Sequence, residues 1–137
     1  MTSAQPEKTV GQLERELSQR LQALYKDRLG QRPSKATCQL FDTKVAIVLE
    51  DSVTQPEQLL AEEGQQELAE RVRDDLDQAM RPQIRQLIEA VLQVEVLDML
   101  SDATLDTGRT GIIVVLSESP GVRNPEAIPK AKRSKDA

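Results

Sequence analysis

Apolar residues recur along this chain with two alternating periods, and their order sets out the elements. Val10, Leu13, Leu17, Leu21 and Leu24 return every three or four residues, the spacing of one helix face. Glu14, Arg15, Glu16, Gln19, Arg20 and Gln22 supply the polar back. Gly30 marks the stop, since glycine takes the left-handed conformation after a last helical turn at little steric cost. Pro33 opposes continuation. The period then falls to two: Ala36, Cys38 and Leu40 alternate with Lys35, Thr37 and Gln39. After a tight turn at Asp42-Thr43-Lys44, the run Val45-Ala46-Ile47-Val48-Leu49 is apolar on both faces. The pair reads as a hairpin whose second strand is the more buried.

A second half repeats this order. Thr54 and Glu57 have the spacing of a capping box, and Pro56 is tolerated in a first helical turn. That helix is predicted to end near Gly64. A longer one follows through Leu68, Val72, Leu76, Met80, Ile84, Leu87, Ile88 and Val91. Pro82 lies inside it and predicts a kink or brief break near Met80-Arg81. Val94, Val96, Leu97, Met99 and Leu100 form a third strand, and Ile112 to Leu116 a fourth. Residues 101–110 read as a long polar connection between them. The expected fold is α+β, in the order α-β-β-α-α-β-β, with a four-stranded, mainly antiparallel sheet and helices packed on it. The expected organisation is a disordered N-terminus over 1–9, one domain over 10–117, and a disordered Pro- and Lys-rich tail over 118–137. The halves echo each other: Asp42-Thr43-Lys44 precedes one apolar strand and Asp106-Thr107-Gly108 the other. Chance and an ancient duplication both account for the echo.

Composition narrows the chemistry. Among 137 residues there is no His, no Trp and one Cys, and the only aromatics are Tyr25 and Phe41. Without His the usual proton shuttle near neutral pH is missing. Cys38 alone forms neither a disulfide within the chain nor a Cys-based metal site, and its place in a strand marks it as structural. The scattered glycines match no nucleotide-binding loop. No catalytic, cofactor-binding or metal-binding set is assigned, and the chain is expected not to be an enzyme. A hydrolase using Asp98 or Asp102 is the weakest of the readings weighed. The net charge of −5 argues against nucleic acid. Residues 50–78 hold ten acids against two bases, a solvated face or a surface for a basic partner. The absence of a long apolar run or an apolar signal segment predicts no transmembrane segment and a cytoplasmic location.

Two candidate surfaces emerge. The 101–110 connection carries Ser101, Asp102, Asp106 and Arg109, a candidate ligand or partner loop. Strands apolar on both faces expose one of them if helices cover the other, so Ala46, Val48, Ile113 and Val115 form a candidate homodimer face, with Val48 and Val115 central.

Several segments, taken in order, resemble one small bacterial family. They are Leu13-Glu14-Arg15-Glu16-Leu17, Leu24-Tyr25-Lys26, Gly30 with Pro33, Val48-Leu49-Glu50, Leu59-Leu60-Ala61, Met80-Arg81-Pro82, and Leu100-Ser101-Asp102 followed by Asp106. The family is the MpsC-type domain, named for a Na⁺-translocating system that generates membrane potential. A His that often follows Ser101-Asp102 in the family is replaced here by Ala103-Thr104. The resemblance implies an accessory or regulatory role, by protein contacts, beside membrane ion-transport machinery, with a membrane-transport protein as partner and a location peripheral to the membrane. The alternative is a sensor binding a small anion or metabolite at the 101–110 loop.

Overall fold

The computed structural model describes residues 7–130. Helix α1 spans Val10–Leu29. Thr9 caps it: the Gln12 amide donates to Thr9 Oγ1 at 3.1 Å, and the Thr9 amide donates to Gln12 Oε1 at 2.9 Å. Val10, Leu13, Leu17, Leu21 and Tyr25 are buried along one stripe. Gly30 ends the helix at φ 78°, the left-handed turn expected from the sequence. Strands β1 (Lys35–Phe41) and β2 (Lys44–Glu50) form an antiparallel hairpin about Asp42-Thr43. Helices α2 (Gln55–Glu62) and α3 (Gln66–Leu92) follow, then strands β3 (Val96–Thr104) and β4 (Arg109–Leu116).

The fold is α+β. Its sheet has the order β1-β2-β4-β3, and every neighbouring pair is antiparallel. The central seam pairs β2 with β4, and Ile47 faces Ile112 across it. Each half contributes a helix and a hairpin, and the halves meet through their second strands. Helices α1 and α3 cover one face of the sheet. Leu40, Val45, Ile47, Leu49, Ile112, Val114 and Leu116 point into that layer and are buried with Leu17, Leu21 and Ile88. Strand alternation sends Ala46, Val48, Ile113 and Val115 to the open face.

Three expectations are corrected. First, of the kink or break expected at Pro82, the break does not occur: α3 runs unbroken through it. The ring removes the bond to the Gln78 carbonyl, but both residues are exposed, so water can take that acceptor. Second, residues 101–110 are not a long loop: 101–104 extend β3, β4 begins at Arg109, and only 105–108 turn. Polar residues concealed the strand because it lies at a sheet edge and buries little of one face.

Third, the tail is packed as far as it is described. Val122 and Ile128 are buried beside Val10 and the strands, and Pro125–Ala127 forms a short 3₁₀ turn. The Asp42 amide donates to the Pro129 carbonyl at 2.8 Å, and the Arg123 amide to the Lys8 carbonyl at 2.9 Å. Two apolar side chains without periodicity suffice, because backbone bonds to fixed partners hold them in place. Thr9, expected to be disordered, is the cap of α1. The remainder of the expected disorder, residues 1–6 and 131–137, lies outside the described residues.

Candidate functional site

The N-terminal half of α3 buries a different side from the one its apolar residues predict. Leu68 is exposed and Val72 and Leu76 are half-buried, whereas Ala69 and Arg73 are buried. The reason lies in α2. The Thr54–Glu57 capping box turns Glu57 inward, where it is fully buried, and Thr54 Oγ1 donates to Glu57 Oε1 at 2.8 Å. A buried carboxylate needs a counter-charge. Arg73 supplies it: its Nε lies 3.3 Å from Glu57 Oε2 and 3.5 Å from Asp77 Oδ1. Its Nη1 donates to the Ser52 carbonyl at 3.1 Å. Nε, Nη2 and Glu57 Oε2 have no hydrogen-bond partner of good geometry.

Two carboxylates therefore share one guanidinium. Burial, chiefly, pushes the Asp77 carboxyl above its ordinary 3.8, with Arg73 opposing and Glu57 adding to the rise. The same cluster borders Tyr25, whose hydroxyl is pushed up to about 12 by burial and then by the charge of Asp77.

Ser52 links this cluster to the second hairpin. Its hydroxyl lies 2.7 Å from Thr110 Oγ1 and 3.1 Å from the Gly108 carbonyl, and its amide donates to that carbonyl at 2.8 Å. The turn 105–108 is thereby fixed against α3, leaving a recess of about 430 Å³ between them. Gln66, Glu70, Arg73 and Asp74 line the helix side, and residues 102–106 the hairpin side. A second recess of about 450 Å³, under α2, shares Gln66, Leu105 and Asp106 with it.

Of the candidate loop, Asp102 and Asp106 come together here with Glu70 and Asp74. Ser101 and Arg109 do not join them. Ser101 Oγ sits 3.5 Å from Arg81 Nη1, and Arg109 Nε donates to Glu50 Oε1 at 2.7 Å. The predominance of carboxylates sets a negative field that disfavours small anions at this recess. Asp98 is exposed and accepts from the Met99 amide at 2.8 Å, so it is not the buried carboxylate a hydrolase would use. No group of three or more acidic or sulfur ligands arranged to hold a metal ion occurs among the described residues. Sequence reasoning found Glu57 as a cap and passed over Arg73; the signal was a base embedded in a run of acids one helix away from a capping carboxylate.

Both sheet edges are partly closed by helix side chains. Glu14 of α1 accepts the Leu40 amide at 2.8 Å. From α3, Arg85 donates to the Val96 carbonyl at 2.7 Å, and Arg81 donates to the Met99 carbonyl. Among the described residues, none covers the open face. Val48, Leu100 and Ile113 are 40%, 56% and 38% exposed there, which leaves an apolar surface in water.

Fold and surface together define a small α+β module with one helix-covered sheet face, one open face and an acidic recess. Residues 9–118 match the family described as "Na+-translocating membrane potential-generating system (MpsC)", and the chain belongs to it. No curated protein and no solved structure matches the chain. Among the described residues, no helix is long and apolar enough to cross a membrane.

Proposed function

We propose that this chain is a non-enzymatic accessory or regulatory protein that acts by protein contacts beside a Na⁺-translocating membrane system, from a cytoplasmic position peripheral to the membrane. The family description supports the setting. The observation that carries the mode of action is the open sheet face. Ala46, Val48, Leu100, Ile113 and Val115 lie side by side on it, while the edges on either side are partly closed by Glu14, Arg81 and Arg85. Edge pairing is thereby discouraged at Leu40, Val96 and Met99, and face-to-face burial is favoured as the route to self-association.

A second copy is the natural first partner. Lys44 and Asp98 stand at the rim of the apolar patch on the same face, so both charge signs are present for a second copy to meet about a two-fold axis. The absence of His and the burial of Cys38 support the non-enzymatic part of the reading.

Light scattering at micromolar concentration tests it. The expected mass is twice that of one 15.3 kDa chain, falling to one chain in Val48→Asp or Val115→Asp with the circular dichroism spectrum retained. A single-chain mass unchanged on concentration overturns the dimer.

A further inference from the structure

We propose that the acidic recess between α3 and the β3–β4 hairpin receives an extended, Lys- and Arg-rich segment of a partner protein, laid along the uncovered part of β3. The proposal rests on the reading that this protein works through protein contacts, but it uses the β3 edge and the recess beside it rather than the apolar patch of the open sheet face, although Asp102, in register with Gly111 and Val48, borders both. Three observations carry it.

The first is charge. Glu70, Asp74, Asp102 and Asp106 converge on a recess whose only lining base among the described residues, Arg73, is already shared by Glu57 and Asp77. The recess therefore selects cations.

The second is an unused donor at the same place. Arg73 is 3% exposed, lines the recess, and leaves Nη2 without a hydrogen-bond partner among the described residues. A buried N–H of this kind costs free energy until an acceptor reaches it. A carboxylate or phosphate would be repelled by the surrounding acids. A polyamine has no acceptor to offer. A peptide offers both a neutral carbonyl and cationic side chains.

The third is the strand edge. Arg81 takes the Met99 carbonyl, so the backbone groups of β3 that point away from β4 fall on Met99 and, two residues apart, on Ser101 and Ala103. The Ala103 amide is covered only by the carboxylate of its own neighbour, Asp102, at 2.8 Å. No side chain of α3 bonds to the backbone of residues 102–104 among the described residues. An incoming strand can take the Ala103 amide with a carbonyl and release Asp102 to meet a cation. Pairing at a free edge provides the backbone affinity, and the carboxylates select the side chains.

The test titrates a capped peptide of alternating Lys and Val into the full chain, read by NMR. The expected result is saturable binding that shifts the Ala103 amide and the Arg73 side-chain N–H resonances. Asp102→Asn and Asp106→Asn, both at exposed positions and therefore expected to fold, should each weaken it about threefold. N-methylation of alternate peptide residues, which keeps the charges and removes backbone bonding, should weaken it on the order of tenfold. Absence of binding overturns the proposal, as does equal affinity for the N-methylated peptide or for spermine. Equal affinity for a peptide of this chain's own residues 129–137 overturns the assignment to a partner protein. The chain's mass by light scattering does not depend on any of these outcomes, so this proposal and the dimer fail separately.

Discussion

Arg73 is the residue on which the inner end of α2 depends. Without it, Glu57 would be a fully buried carboxylate whose remaining neighbours are Thr54 and another acid, Asp77. Removing one partner of such a pair costs about 3–5 kcal/mol, whereas replacing both by uncharged groups is often close to neutral. Arg73→Met should therefore lower unfolding free energy by about that amount, and the double variant Arg73→Met/Glu57→Gln should recover most of it, as urea titration of the full chain would show. A second residue-scale expectation concerns alkali. Burial pushes the Cys38 thiol from 9.0 up to about 11 and the Tyr25 hydroxyl from 10.0 up to about 12. In both, the fold favours the neutral form. The stability this contributes is complete below pH 9 and is lost as pH rises through 11 to 12, roughly 2–3 kcal/mol for each group. The urea midpoint should fall steeply between pH 9 and 12, and Cys38→Ala should remove the lower-pH part of that fall. The sequence made Cys38 legible as a buried strand residue, since alternation placed it beside Ala36 and Leu40. Arg73 was hidden because its burial depends on a carboxylate in another helix, and no periodicity within one element encodes that.

At the scale of elements, α3 carries its proline at a cost that α1 does not bear. An interior proline is disfavoured by about 3 kcal/mol relative to alanine in a helix, and Pro82 is exposed, so little burial offsets this. Pro82→Ala should stabilise the protein by about 1–3 kcal/mol, measured by chemical denaturation, and leave the helical dichroism unchanged. A loss of stability would mean that the backbone at Pro82 is shaped to bring Arg81 and Arg85 onto β3. Helix α1 was readable from its apolar stripe and the stop at Gly30, α2 from the Thr54–Glu57 box, and the first hairpin from its alternation and turn, whereas the Thr9 cap was missed. The second hairpin was half readable. Val96 and Met99 announce a strand, but Ser101, Asp102 and Thr104 look like loop because an edge strand beside a recess has no apolar layer to fill. That misreading had a useful side, since Asp102 and Asp106 do line the recess.

Across the whole molecule, the described C-terminal segment closes the end of the core that α1 opens. Val122 and Ile128 are buried, and burying such side chains is worth about 1.5–3 kcal/mol each as an upper estimate. Truncation after residue 118 should lower the melting temperature by more than about 10 °C, a shift differential scanning calorimetry resolves easily. Composition pointed the other way because the segment is interrupted by Pro120, Pro125 and Pro129 and its two anchors have no repeat. The seam between β2 and β4 leads further. Each half is a helix laid over its own hairpin, and neither encloses a core: α1 with β1 and β2 leaves Val45 and Ile47 without the partners that Val114 and Ile112 supply. One covalent connection, through Gly64 and Gln65 between α2 and α3, joins two pieces that need each other more than they need the link. Cut there and expressed together, residues 1–64 and 65–137 should find one another and rebuild the sheet, while either piece alone stays unfolded. The chain would then behave as two interlocking proteins made in a single pass of the ribosome, and two full-length copies held at high concentration would have the means to trade halves.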